Sequence, residues 1–275
     1  MRIDAHQHFW QFDPVRDCWI NEEMKVIQND FLPKHLQPVL QQNNIAGCVT
    51  VQSNQSEKEN AFQLNNAAEF DFIKGVVGWV DLQSQDVGER LAYYSGFKKM
   101  KGFRHVLQGE ADRALMLKPA FMQGISHLQK FGFTYDILIL PDQLKYVAEL
   151  VAAFPDQKFV IDHIAKPNIK DQKIDGWQKD IRALGIYKNL WCKISGMVTE
   201  ADWKNWKPED FTPCIDTVVE TFGTGRIMFG SDWPVCLVAA TYEKMLAITT
   251  DYFAAFTASE KAKFFGLNAA EFYNL

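Results

Sequence analysis

Along this chain, short runs rich in β-branched and aromatic residues alternate with longer stretches of helical periodicity, without a break from one end to the other. The runs are Arg2–His8, Gly47–Ser53, Ile73–Leu82, Met100–Gln108, Thr134–Leu140, Lys158–Ile164, Leu190–Gly196 and Arg226–Asp232. The spacing predicts helices over Pro33–Asn43, Glu57–Phe70, Asp86–Phe97, Lys118–Phe131, Pro141–Phe154, Gly176–Gly185, Pro208–Phe222 and Tyr242–Phe256. Further turns of helix are expected at Ser259–Phe265 and Ala269–Tyr273. Strict alternation makes parallel pairing the natural arrangement, because each helix serves as a right-handed crossover. Eight such units predict a closed TIM-type (β/α)8 barrel, a single domain spanning residues 1–275. An open dinucleotide-binding sheet would need a Gly-x-Gly-x-x-Gly turn, and the chain has none.

Connection lengths then orient the barrel. Helix-to-strand links such as Asn44–Ala46 are short, whereas the strand-to-helix links Phe9–Leu32, Gly109–Leu117, Ala165–Asp175 and Met197–Lys207 are long. Barrel active sites form on the face where strands lead into helices. The Phe9–Leu32 loop carries Phe9, Trp10, Phe12, Trp19 and Phe31, enough aromatic surface to wall a pocket. Toward the same ends of the strands stand His6 and His8, Gln52, Asp81, Arg104 with His105, Asp136, His163, Ser195 and Asp232. One buried polar residue is ordinary in a core, but a polar residue from every strand points to an enzyme. In an extended strand Asp4, His6 and His8 share one face, with the two imidazoles roughly 7 Å apart. His6, His8, His163 and Asp232 form a three-His, one-carboxylate set suited to a divalent metal and its water.

Composition excludes other classes. The net charge is −5 and no run of Lys and Arg makes a stripe, which argues against a nucleic-acid partner. No apolar stretch reaches membrane-spanning length, and Asp4 with two histidines interrupts the place where a signal peptide needs its apolar core. The five cysteines are scattered without a Cys-x-x-Cys pair, so a reduced, cytoplasmic protein is expected, with Cys48 and Cys192 as buried thiols.

Several motifs resemble the amidohydrolase superfamily, in the amidohydrolase-2 branch that holds sugar-lactone hydrolases. They are Asp4-Ala-His-Gln-His-Phe-Trp10, Val51-Gln52, Val77-Gly-Trp-Val-Asp-Leu82, Lys101-Gly-Phe-Arg-His-Val-Leu-Gln108, Tyr135-Asp-Ile-Leu-Ile139, Asp162-His-Ile-Ala-Lys-Pro167, Lys193-Ile-Ser-Gly196 and Phe229-Gly-Ser-Asp-Trp-Pro234. The resemblance implies His6 and His8 on the first strand, His163 on the sixth and Asp232 on the eighth. Binuclear members carry a carbamylated Lys or a Glu on the fourth strand and a His on the fifth. Here those strands offer Arg104-His105 and Tyr135-Asp136, so the implied cofactor is a single zinc-like ion or none.

The implied reaction is hydrolysis of a sugar-derived lactone, L-fuconolactone-like, to the free acid. An ester opened by water needs a base, a polarised carbonyl and a proton for the leaving alkoxide. Asp232 is the expected base and His163 orders the water, while Arg104 and His105 polarise the carbonyl. Gln52, Asp81, Asp136, Lys166 and Trp10 are the expected contacts to the sugar. The small-molecule lactone is the expected partner, and a homo-oligomer is compatible with everything above. Two other readings stand beside this one: a metal-dependent aromatic-acid decarboxylase on the same barrel, and a non-catalytic barrel that binds a sugar acid.

Overall fold

The computed structural model describes residues 1–275. All eight expected strands form: β1 Ile3–Gln7, β2 Gly47–Val51, β3 Ile73–Gly78, β4 Met100–His105, β5 Thr134–Ile137, β6 Phe159–Ile161, β7 Leu190–Ile194 and β8 Ile227–Phe229. They pair in parallel in sequence order. Beyond β8 the chain returns to β1, where Asp232 N donates to His6 O at 2.8 Å and His8 N donates to Trp233 O at 2.7 Å, closing the barrel. Helices α1 Pro33–Gln42, α2 Glu57–Glu69, α3 Val87–Tyr94, α4 Pro119–Leu128, α5 Leu144–Ala153, α6 Asp175–Ala183, α7 Thr212–Phe222 and α8 Tyr242–Tyr252 form the outer layer, followed by α9 Ala258–Ala262 and α10 Asn268–Tyr273. No helix is long and apolar enough to cross a membrane.

Alternation along each strand divides the core in two. Tyr135, Ile137, Phe159, Ile161, Cys192, Ile194 and Phe229 are buried with apolar helix residues such as Leu144, Val147, Leu150 and Val151 of α5. Each fully buried aliphatic side chain of this kind contributes roughly 1.5–3 kcal/mol. Ile3, Ala5, Val49, Val51, Val77, Val160, Trp191 and Met228 make a separate cluster inside the barrel, joined by Phe272 and Tyr273 of α10. The last helix is therefore the floor of the barrel. Four cysteines, Cys48 and Cys192 among them, are buried free thiols, and Cys18 is exposed.

The shared face expected for Asp4, His6 and His8 needs correction. The β1–β2 register shifts between Asp4 and Gln7. Ahead of that irregularity Ile3 and Ala5 face the interior, so Asp4 faces the helices, where it accepts from Tyr242 Oη of α8 at 3.1 Å and from Ser231 N at 2.9 Å. Beyond it, His6 and His8 face the interior. A bulge inserts one residue and reverses the parity of all that follow. Burial in that apolar layer pushes the Asp4 carboxyl up to about 6, against the hydrogen bonds from Ser231, His6 and Tyr242.

Candidate active site

Three imidazoles and a carboxylate meet where β1, β6 and β8 end. His6 Nε2 lies 3.2 Å from His8 Nε2. Asp232 Oδ1 is 3.4 Å from His8 Nε2 and 3.9 Å from the Nε2 atoms of both His6 and His163. Each ring is fixed through its other nitrogen. His8 Nδ1 donates to Val51 O at 2.8 Å, His163 Nδ1 meets Ser195 Oγ at 3.0 Å, and His6 Nδ1 lies 3.2 Å from Asp162 Oδ1. Such outer partners orient the rings so that each Nε2 faces the centre, and at His6 two cations also stand close, Lys193 Nζ 3.1 Å from Nδ1 and Arg104 Nη1 3.4 Å from Nε2. Gly230 is required for the close approach, since a Cβ there would stand 2.6 Å from His6 Cβ.

Burial pushes His6 and His163 well below the ordinary imidazole range, so both rings are neutral and able to act as ligands near pH 7. Burial also works to raise Asp232, but His163 and His8 beside it outweigh that and bring it below its ordinary value. It is an ionised carboxylate at neutral pH.

Two local distortions aim these groups. The sixth strand stops at Ile161, short of the expected Ile164, because His163, Ile164, Ala165 and Lys166 all adopt left-handed backbone, with φ of 54, 49, 58 and 53°. Each such non-Gly residue costs about 1–2 kcal/mol. Trp177 Nε1 donates to Ile164 O at 2.7 Å and Lys166 N to His163 O at 2.8 Å, which hold the turn. The turn brings His163 and Lys166 into the same cavity. The eighth strand ends at Phe229, and Asp232 leaves it with φ 58°, just ahead of a cis Trp233–Pro234 peptide.

Above this centre opens a cavity of about 400 Å3, lined by His8, His163, Asp232, Arg104 and Lys166 with Trp10 and Trp19 of the first long loop. Beneath it lies a buried ionic layer that Arg104 links to the cavity wall. Lys193 Nζ is 2.6 Å from Asp136 Oδ2 and 2.9 Å from Asp162 Oδ1, while Arg104 Nη1 is 3.0 Å from Asp162 Oδ2. Burial would raise both acids. Lys193, His6 and Arg104 hold Asp162 well below the ordinary range, whereas burial and the neighbouring Asp162 charge leave Asp136 at about 6 despite Lys193.

A family model described as amidohydrolase matches residues 3–275. The chain belongs to the amidohydrolase family. It is 36% identical to an L-fucono-1,5-lactonase of Burkholderia multivorans, with 100% of this chain and 96% of the relative covered. An L-fucono-1,5-lactonase of Burkholderia ambifaria is 32% identical over the same shares of the two chains. A crystal structure of an amidohydrolase from Burkholderia multivorans with bound Zn superposes with a TM-score of 0.96 at 36% identity, covering 100% of this chain and 99% of that one.

The donor set of this amidohydrolase fits a metal of that kind. Nitrogen ligands about 2.0–2.1 Å from a tetrahedral zinc stand roughly 3.3 Å apart, and the His6 and His8 Nε2 atoms are 3.2 Å apart. His6, His8 and Asp232 could hold the ion, with His163 Nε2 facing the same Asp232 oxygen. His6, Asp162 and His163 also lie within reach of one another. That second grouping is disfavoured, because both Asp162 oxygens are already gripped by cations.

Of the residues expected at the site, His6, His8, His163, Asp232, Arg104, Lys166 and Trp10 gather there, and four do not. His105 points into the helix layer, its ring edge against Phe121 and its Nε2 2.7 Å from Glu110 Oε1, because it alternates with inward Arg104. Asp81 is exposed and caps a turn through Gln83 N at 2.9 Å, since β3 already ends at Gly78. Gln52 is buried against the Arg104 carbonyl, to which its Nε2 donates at 3.1 Å. Asp136 lies below the cavity, bound to Lys193 and, at 2.8 Å, to Tyr273 Oη. Sequence reasoning missed Arg16, Asn54, Gln55 and Gln108 on the cavity wall, and Lys193 beneath it. Only Lys193 carried a signal: a lone cation inside the otherwise apolar run Leu190–Ile194.

Proposed function

We propose that this amidohydrolase opens a six-carbon aldonolactone of the L-fucono-1,5-lactone type to its hydroxy acid, with Asp232 moving the proton. One observation carries the reading: Asp232 is the only carboxylate lining the cavity, and it lies against His8 and His163. The relatives named as L-fucono-1,5-lactonases support the substrate class. A cavity of about 400 Å3 suits a ligand of this size.

Asp232 accepts a proton as the water oxygen bonds to the lactone carbonyl carbon. When the tetrahedral species collapses, the ring C–O bond breaks and Asp232 returns the proton to the leaving oxygen. The Arg104 guanidinium faces the cavity and donates toward the carbonyl oxygen as it gains charge. Asn54, Gln55, Gln108 and Lys166 meet the sugar hydroxyls, and Trp10 and Trp19 cover the apolar face of the ring. A divalent ion on His6, His8 and Asp232 would supply Lewis acidity to the same carbonyl or water.

Each ring opening releases one proton when the acid ionises, so a pH-indicator assay across aldonolactones tests the reading. L-Fucono-1,5-lactone or a close stereoisomer should open far faster than it does spontaneously. If no aldonolactone opens faster with the protein than without it, the proposal fails.

A further inference from the structure

Lys193 is a lysine with no solvent exposure in the middle of a barrel strand, and the hydrolysis above assigns it no task. Its Nζ touches three groups: Asp136 Oδ2 at 2.6 Å, Asp162 Oδ1 at 2.9 Å and His6 Nδ1 at 3.1 Å. The layer is continuous. Tyr273 of α10 donates to Asp136 Oδ2 at 2.8 Å, and at the other end Arg104 Nη1 meets Asp162 Oδ2 at 3.0 Å. A buried charge stripped of water is stable only when paired and hydrogen-bonded, so such a layer is an unfavourable way to fill a barrel that Val or Leu would fill.

The arrangement has a directional consequence. Arg104 Nη1 donates to Asp162 Oδ2 while Lys193 Nζ forms an ion pair with Oδ1, so a different cation stands against each oxygen of the carboxylate. Its Oδ1 faces His6 Nδ1 at 3.2 Å. Asp162 Oδ1 and Lys193 Nζ thus both stand against His6 Nδ1, and the opposite nitrogen of that ring lies 3.2 Å from His8 Nε2. Asp136 stands on the far side of Lys193 and holds the ammonium in place.

We propose that Lys193 and Asp136 are positioning residues that aim His6 Nε2 at the metal by clamping Asp162. The proposal rests on His6 being a metal ligand, and is independent of which lactone is the substrate. Outer partners of metal-bound histidines typically contribute about 10–100-fold in metal affinity.

The test compares wild type, Lys193→Met and Lys193→Met/Asp136→Asn. Zn2+ affinity is read by competition with a chromophoric chelator, and thermal unfolding is followed in parallel. The single variant leaves Asp136 buried without its cation and should lose stability. The double variant removes one charge of each sign and should regain most of it. Its Zn2+ affinity should nonetheless stay about 10–100-fold below wild type. If the double variant recovers stability and Zn2+ affinity together, the layer serves only the fold and the proposal is overturned. Wild type failing to bind Zn2+ above background would overturn it differently, by removing the metal site itself, while leaving lactone opening to be judged by the indicator assay.

Discussion

Arg104 and His105 are adjacent in the sequence and serve opposite sides of the barrel wall. Arg104 reaches the cavity and grips Asp162, while His105 sits among helix residues beside Phe121. Arg104→Met should therefore lower kcat by about 10²–10³-fold, the usual loss when one donor to a developing oxyanion is removed. His105→Asn should leave kcat close to wild type in the same assay. A large loss for His105→Asn with intact folding would show that this side of the strand matters to the chemistry. That His6, His8, His163 and Asp232 would come together was legible in the sequence, because all four stand at or just beyond the same ends of their strands. Which of two neighbouring polar residues faces inward was not. That depends on where each strand ends and on a single inserted residue, as Asp4 shows by facing away from His6 and His8.

At the scale of elements, the strands were recognisable and their last residues were not. Apolar alternation marks the stretch held in the ladder, whereas the functional residues sit where the chain has just left it. The left-handed turn over His163–Lys166 is the clearest instance, since nothing in His-Ile-Ala-Lys announces four positive φ angles in a row. Tertiary partners such as Trp177 and Ser195 help to hold it. Across from it, Gly196 has φ 62°, and a Cβ there would stand 2.4 Å from His163 Nδ1. Gly196→Ala should thus destabilise the protein by about 1–2 kcal/mol from backbone conformation alone, and should also displace His163 and depress turnover. Thermal unfolding and kcat measured together check this. A variant with wild-type values of both would mean that His163 and this loop have room that the structure denies them.

For the molecule as a whole, eight alternating units dictated a parallel barrel, and the long strand-to-helix loops identified its working face. The floor was not legible. The sequence announced a short final helix, but a helix of six residues carries no sign that its Phe272 and Tyr273 will enter the barrel interior. The finished barrel reads as layers: α10 and aliphatic side chains at the bottom, the Asp136–Lys193–Asp162–Arg104 charges above them, and the histidines with Asp232 beneath the cavity. Asp232 is the only carboxylate that lines the cavity. The most direct measurement is therefore the turnover of Asp232→Asn on the best lactone, with spontaneous ring opening subtracted. Asparagine keeps the size and one oxygen but cannot take a proton near neutral pH, so kcat should fall by about 10²–10⁴-fold while KM changes little. An Asp232→Asn protein that turns over at close to the wild-type rate would contradict the account.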